Sequence, residues 1–215
     1  ISIDLSNDGT YEWCQELALK NSNLNILPYG NHFGGAAKNF YRLIKEVDIC
    51  KYDYISLADQ DDIWLPDKIS RAIKIINVRG LDGYSSNVIA FWEDGRKQLI
   101  RKSYPQNKFD YYFESAGPGC TFLLKQQSLK KFKDFLIKNW TLVNEVSLHD
   151  VMIYAFYREL SMVWYIDDVP KLYYRQHTNN QIGANVNWRA YLNRLKKIKN
   201  KWARREVQKI INLLK

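Results

Sequence analysis

Apolar and polar positions in the first eighty residues follow the periods of alternating strands and helices. Residues 1–5 alternate as in a half-buried strand, and a Ser-Asn-Asp-Gly-Thr turn separates them from a helical stretch. The pattern predicts strands over 1–5, 24–29 and 54–58 and helices over about 10–20, 36–47 and 66–78. This order of elements predicts an α/β fold in which helices flank a mostly parallel sheet.

The rest of the chain is less regular and ends in a helical pattern. Strands are predicted over 87–92, 98–102, 121–124, 163–166 and 172–175, and helices over about 129–138 and 149–160. From Trp188 onwards apolar residues recur mostly every three or four positions, with basic residues between them. The pattern therefore divides the chain into a domain over 1–187 and a basic amphipathic helical tail over 188–215.

The distribution of charge supports this division. The chain has 32 Lys and Arg against 23 Asp and Glu, a net charge of +9. From Arg189 to Lys215 there are ten basic residues and one acid, Glu206, so the tail carries the whole +9 and the remainder balances at 22 of each sign. A neutral domain argues against nucleic acid as a partner. Three scattered cysteines without a CxxC pair fit a reducing cytoplasm.

The strand predicted over 54–58 ends in three acids, Asp59, Asp61 and Asp62. Open α/β sheets bind their ligands at the carboxyl ends of the strands. In an extended segment Asp59 and Asp61 point the same way, and two converging carboxylates need a cation. Mg²⁺ or Mn²⁺, held by carboxylates and substrate phosphates, suits such a pair. The alternative is a solvated turn that also caps the next helix.

Other positions are candidates for binding or catalysis, and most have a plainer alternative. Asp8 ends the first strand, where it would bind a nucleotide base or ribose, or form an ordinary Asp-Gly turn. Lys38 follows two glycines whose backbone amides can approach an anion. Asp150 is either a helix cap or a general base. Arg175 and His177 would hold a diphosphate, or belong to a polar surface loop.

These motifs, in this order, resemble the family-2 glycosyltransferases with a GT-A fold, in particular the bacterial rhamnosyltransferase-like group that builds surface polysaccharides. The resemblance covers the chain to about Asn185, and its most specific motif is Asp-Gln-Asp-Asp-Ile-Trp at 59–64. The matching segments are 6–10, 34–40, 57–64, 119–121, 149–150 and 174–177, together with Asn180 and Gly183.

The resemblance implies an inverting transfer of a sugar from a nucleotide-diphosphate sugar, dTDP-rhamnose or a UDP-sugar, to a saccharide or lipid-linked acceptor. Asp59 and Asp61 would bind Mn²⁺ or Mg²⁺, and Asp150 would deprotonate the acceptor hydroxyl. Donor contacts are implied for Asp8, Lys38, Asp59, Gln60, Arg175 and His177. Substrate or acceptor contacts are implied for Trp64, Gly119, Cys120, Thr121 and His149.

The chain departs from the family pattern in two places. The pattern begins with a strand-helix unit that would precede Ile1, so we expect this chain to lack that unit. Asn7 also stands where the family has an acid before Asp8.

The basic tail bears on where the protein works. Acceptors in these pathways are often lipid-linked, and a basic helix over 188–215 suits an anionic membrane surface. The expected location is the cytoplasm, with peripheral binding to the inner face of the plasma membrane. The alternative is a helix that packs on its own domain or on a partner protein.

Two other classes of function remain open from the residues alone. A phosphatase of the haloacid-dehalogenase type would use Asp59 as nucleophile, with Asp167 and Asp168 as its later acidic pair. Its DxD motif belongs near the amino terminus, however, whereas Asp59 follows two strand-helix units. A non-catalytic module that binds a membrane or partner through the tail is the third class.

Overall fold

A computed structural model describes residues 1–176 and 201–215. Its helices are α1 (Thr10–Lys20), α2 (Ala36–Glu46), α3 (Lys68–Arg79), α4 (Gln126–Lys138), α5 (Trp140–Val143), α6 (His149–Glu159) and α7 (Trp202–Leu214). Its strands are β1 (Tyr54–Ser56), β2 (Ile63–Trp64), β3 (Gly83–Ser86), β4 (Val88–Phe91), β5 (Lys97–Ile100), β6 (Leu123–Lys125), β7 (Trp164–Asp167) and β8 (Leu172–Arg175). Short 3₁₀ helices cover Asp110–Tyr112 and Gly119–Thr121.

The strands form two four-stranded sheets, in the orders β1-β6-β3-β7 and β2-β8-β4-β5. The predicted α/β fold is confirmed, but the strand directions are mixed rather than mostly parallel. Among the strands of the described residues, only the β3–β7 and β4–β8 pairs are parallel, and the other four pairs are antiparallel. In the first sheet β1, β3 and β7 run in one direction and β6 opposes them. In the second, a tight turn at Gly95 joins β4 to β5, and so short a connection permits only antiparallel pairing.

The amino-terminal segment departs from its predicted strands. Residues 1–5 run beside 24–31, and the hydrogen bonds between them include Leu5 N to Asn31 O at 3.0 Å and Leu27 N to Ile1 O at 2.9 Å. Neither stretch is a strand in the structure. Sequence reasoning missed two strands, the two-residue β2 and β3, of which β3 is buried at all four positions. Its sequence, Gly-Tyr-Ser-Ser, lacks the β-branched residues that mark a buried strand.

The core lies on both faces of the first sheet. Leu124 of β6 packs with α2, α4 and α6, whereas the adjacent Leu123 packs with α3. Neighbouring strand residues point to opposite faces, so the helices form a layer on each side. Ile210 of α7 is buried in the larger cluster, and α7 therefore packs on the domain. The predicted domain boundary at 187/188 lies outside the described residues. Within those residues, the helices are all too short or too polar to cross a membrane.

Candidate functional site

The acidic loop, residues 59–62, leaves the carboxyl end of β1 and enters β2. The carboxyl end of β8 holds this loop in place. The backbone N–H of Arg175 donates to Asp62 Oδ1 at 3.0 Å, and its Nε donates to the carbonyl oxygen of Asp61 at 2.9 Å. Arg175, predicted to hold a diphosphate, thus contacts the acidic loop in the structure, and its role toward a diphosphate stays a prediction.

Cys120 joins Asp59 and Asp62 in a compact cluster. One carboxylate oxygen of each aspartate and the Cys120 Sγ lie within 4.8 Å of one another. Burial, followed by the charges of Asp62 and Asp61, raises the pKa of Asp59 to about 6. Asp62 Oδ2 is buried and has no hydrogen-bond partner. This cluster has more negative charge and acceptor capacity than its protein neighbours satisfy, which fits a cation-binding position.

Lys68, which sequence reasoning missed, lies beneath the acidic loop. Its side chain is 4% exposed, and its Nζ lies 3.3 Å from Ser56 Oγ and 3.5 Å from the centre of the Trp64 ring. Burial lowers the pKa of Lys68 to about 8, although Cys120 and Asp62 act in the opposite direction. A lysine in the first turn of an amphipathic helix resembles a surface residue, so only the fold reveals its burial. The Trp64 ring that was predicted to meet substrate contacts this ammonium.

His149 and Asp150 open α6 beside the 3₁₀ helix that carries Cys120. The buried His149 ring stacks on Phe40 with centroids 4.2 Å apart, and its Nε2 has no hydrogen-bond partner. A Cβ at position 119 would lie 2.3 Å from that nitrogen, so the close approach requires Gly119. Burial lowers the pKa of His149, which keeps the imidazole neutral.

Asp150 is half-buried at the amino end of α6. Its Oδ1 accepts the backbone N–H of Val151 at 2.9 Å. Its charge contributes to the raised pKa of Asp59, after burial and the two nearer carboxylates. The fold therefore brings Asp150 within electrostatic range of Asp59, although about ninety residues separate them in sequence.

The remaining predicted residues lie outside this cluster. Asp8 is exposed and accepts from Thr10 N at 3.1 Å and Ser6 Oγ at 2.8 Å, and bonds with Thr10 and then Ser6 lower its pKa. Neither Asp8 nor Lys38 forms a hydrogen bond or ion pair with the acidic loop in the described part of the chain. Gln60 is exposed. His177 lies outside the described residues.

Lys38 borders a cleft of about 800 Å³ between α2, α5 and α7. The cleft also contacts the glycines that precede α2, the Trp140 ring and the segment that leads to α6. A basic side chain, backbone amides and an aromatic ring in one cleft suit an anionic, sugar-containing ligand.

Asp167 provides the contrasting buried carboxylate. It accepts from Arg71 Nε at 2.7 Å, Arg71 Nη2 at 3.1 Å, Tyr84 Oη at 2.8 Å and Val169 N at 3.2 Å. Burial acts to raise its pKa, but the bonds from Arg71 and Tyr84 outweigh burial and lower it. A carboxylate with its acceptor sites filled in this way is a structural group, which argues against the phosphatase alternative that assigned it to catalysis.

Comparison with known proteins gives two kinds of match. The model of the family described as "Glycosyl transferase family 2" matches residues 1–137. The dTDP-rhamnosyl transferase RfbG of Shigella flexneri is 51% identical over 215 residues, which are all of this chain and 74% of that protein.

Among solved structures, S. aureus TarS 1-349 in complex with UDP-GlcNAc matches with a TM-score of 0.59 at 15% identity, over 86% of this chain and 51% of that one. The mannosyltransferase PcManGT of Pyrobaculum calidifontis, in complex with GDP-Man and Mn²⁺, matches with a TM-score of 0.52 at 14% identity, over 84% and 47%. The chain thus spans about half the length of the solved structures it matches, and at these identities the likeness concerns the fold.

Proposed function

This chain belongs to glycosyl transferase family 2, and from that premise we propose that it transfers rhamnose from dTDP-rhamnose to a saccharide or lipid-linked acceptor in bacterial surface polysaccharide synthesis. The observation that carries the proposal is the 51% identity to a dTDP-rhamnosyl transferase along the whole chain. Nucleotide-sugar transfer is the activity of the family, whereas the donor and acceptor belong to the proposal.

Asp150 acts as the general base in this proposal. It lies at the start of α6, and its negative charge contributes to the raised pKa of Asp59. A half-buried carboxylate that faces the donor can accept the proton of the acceptor hydroxyl as that oxygen attacks the anomeric carbon. Attack from the face opposite the leaving group inverts the configuration at that carbon.

Asp59 and Asp61 would hold a divalent cation, Mn²⁺ or Mg²⁺. The orphaned Asp62 Oδ2 and the raised pKa of Asp59 support a missing positive charge at the loop. Carboxylate oxygens are the ligands that both cations prefer. When bound, the cation supplies a Lewis acid for the departing diphosphate.

The donor contacts remain those expected from the sequence. Asp8, Lys38, Gln60, Arg175 and His177 would bind the nucleotide diphosphate. The turn Gly119-Cys120-Thr121 would line the sugar, with His149 behind it and Trp64 beside it. The close contact of Gly119 with His149 fixes the turn against α6, because a side chain at position 119 would collide with the imidazole.

We propose that the exposed basic residues of α7, rather than its apolar face, bind an anionic membrane surface. Its apolar face packs on the domain, whereas Arg204 and Arg205 are exposed. Each basic residue near an anionic surface contributes ~1 kcal/mol. The double variant Arg204→Glu with Arg205→Glu should therefore lose flotation with liposomes that contain anionic lipid, while neutral liposomes serve as the control. Unchanged flotation would exclude the idea.

The donor assignment is tested by thermal shift with dTDP-rhamnose, UDP-GlcNAc and GDP-mannose, each with and without Mn²⁺. A ligand that binds the native state at about 100 times its Kd stabilises it by about 2.7 kcal/mol, so the true donor raises the melting temperature most. We expect dTDP-rhamnose with Mn²⁺ to give the largest rise. A larger rise with UDP-GlcNAc or GDP-mannose would overturn the donor, and phospho-aspartate trapped at Asp59 would favour the phosphatase class.

A further inference from the structure

The one acid of the basic tail is also the buried charged residue of α7. Glu206 is 6% exposed, whereas its neighbours Arg204 and Arg205 are exposed. A carboxylate is rarely buried unless its partners compensate it. The partners of Glu206 therefore indicate what α7 is fixed to.

Those partners belong to the segment that leads into α6. Glu206 Oε2 accepts the backbone N–H of Ser147 at 2.7 Å. Lys209 Nζ donates to Glu206 Oε1 at 2.8 Å and to the carbonyl oxygen of Glu145 at 2.7 Å. One turn of α7 thus holds a backbone donor and a backbone acceptor of residues 145–147.

This segment sets the start of α6, where Asp150 lies. Ser147 precedes Asp150 by three residues, and the residue before α6, Leu148, makes no side-chain cap bond. Val146 is buried between the two held positions. The hydrogen bonds from α7 therefore add to the local backbone bonds of this segment and tie the approach to the base to a second element.

A second observation places Glu206 near the site. The hydroxyl of Tyr41, on α2, is fully buried and has no hydrogen-bond partner. Burial raises the pKa of Tyr41, and the charges of Asp150 and Glu206 raise it further. One phenol therefore lies within electrostatic range of both carboxylates.

We propose that Glu206 is a positioning residue for the base Asp150, and that α7 belongs to the catalytic machinery by holding the 145–147 segment. The proposal rests on the function proposed above. Loss of the Ser147 bond would let the start of α6 shift, and a misplacement of about 1 Å can lower turnover by as much as ~10²-fold.

The test compares Glu206→Ala, Glu206→Gln and Glu206→Asp in the full chain, with Gln208→Ala as the exposed control on the same helix. Glu206→Ala should lower kcat by about tenfold to 10²-fold with little change in donor KM, because binding does not depend on the base. Glu206→Gln keeps an acceptor oxygen and should restore most of kcat. Hydrogen exchange in residues 144–150 should be faster in Glu206→Ala than in Glu206→Gln or the control.

Several results would overturn the inference. Wild-type kcat in Glu206→Ala would do so, as would equal losses in Glu206→Ala and Glu206→Gln, since the acceptor would then be irrelevant. If Glu206→Ala does not fold, Glu206→Asp decides, because it keeps the charge but withdraws the carboxylate by one methylene and should lower kcat. An inactive wild type would instead refute the proposed function, and this separates the two failures.

Discussion

Asp59 and Asp167 are both carboxylates withdrawn from water beside the first sheet, yet their surroundings differ. Asp167 accepts hydrogen bonds from Arg71, Tyr84 and a backbone amide, and its pKa is lowered. Asp59 lies among other acids, and its pKa is raised to about 6. The first arrangement is complete within the protein, whereas the second needs a partner that the chain does not supply. Burial alone does not identify a functional acid; the sign of the pKa shift and its cause do.

The largest expected effect is on catalysis at the incomplete site. Asp150→Asn should lower sugar transfer by ~10²–10⁴-fold, the usual contribution of a general base. Nucleotide binding should persist, because the amide has the size and shape of the carboxylate. Steady-state transfer assays and calorimetry with the nucleotide measure the two properties. Transfer above about one hundredth of the wild-type rate would contradict the base assignment.

The complete site should instead show its effect in folding. Asp167→Ala leaves Arg71 and the buried Tyr84 hydroxyl without their acceptor, and breaking such a pair costs about 2 to 4 kcal/mol when one partner is partly exposed. Urea denaturation measures the loss. Arg71→Ala is the matched control and should cost a similar amount, with less than additive loss in the double variant. Full additivity would show that the two side chains do not act together.

The third effect in size is a loss of the nucleotide binding that depends on metal. Asp61→Ala should remove the part of nucleotide binding that depends on Mn²⁺, a loss of about tenfold or about 1.4 kcal/mol. Titration calorimetry with and without Mn²⁺ measures it. Asp67→Ala removes a nearby acid that pairs with Lys171 on the surface, and it should leave binding unchanged. Equal Mn²⁺ dependence in both variants would exclude Asp61 as a ligand.

The smallest effect is a pH dependence of the metal-free protein. Because the folded pKa of Asp59 is above its unfolded value of 3.8, its contribution to stability is full below pH 3.8 and is lost as pH rises through about 6. Each unit of difference between the folded and unfolded pKa is worth about 1.4 kcal/mol. Because Asp59 is partly exposed, we expect its total contribution to the free energy of unfolding to be about 1 to 2 kcal/mol. Relative to Asp59→Asn, the wild type should therefore lose stability between pH 4 and 7.

Thermal unfolding across that pH range, with and without Mn²⁺, measures this difference. Mn²⁺ should remove it, because the bound cation favours the ionised carboxylate. Asp167 provides the opposite sign: its lowered pKa gives stability that is lost only as pH falls below its ordinary value. A flat difference between wild type and Asp59→Asn would show that Asp59 ionises normally.

Much of the fold followed from sequence periodicity. The family resemblance and the α/β class are confirmed, and the predicted helices over 10–20, 36–47 and 66–78 lie within two residues of the observed ones at each end. The apolar stripes of these helices determine where they pack, so the spacing of apolar residues in the sequence is enough to predict them. The sequence pattern does not reveal strand direction. Because β6 runs antiparallel to β1 and β3, the sheet is mixed rather than mostly parallel as predicted.

The site was predictable only in part, for a related reason. The acidic loop and Asp150 carry recognisable residue types, but the meeting of Cys120 with Asp59 and Asp62 depends on a contact between distant segments. Lys68 was missed because its burial arises from Trp64 and Ser56, which come from neighbouring elements. The assigned roles of Asp59, Asp61 and Asp150 stay predictions until the variants are measured.

The docking of α7 has a consequence for the modularity of the chain. An amphipathic basic segment could be described as a separable membrane-binding module. Truncation of the chain after Asn187 would be the natural test of that description. Such a deletion would also take Ile210 out of the core and leave the Ser147 amide without its acceptor. Loss of membrane binding in the shortened chain would therefore report on folding as well as on charge. The two proposals therefore assign membrane binding and the positioning of the base to one helix, and only substitutions of its exposed residues can test the first without disturbing the second.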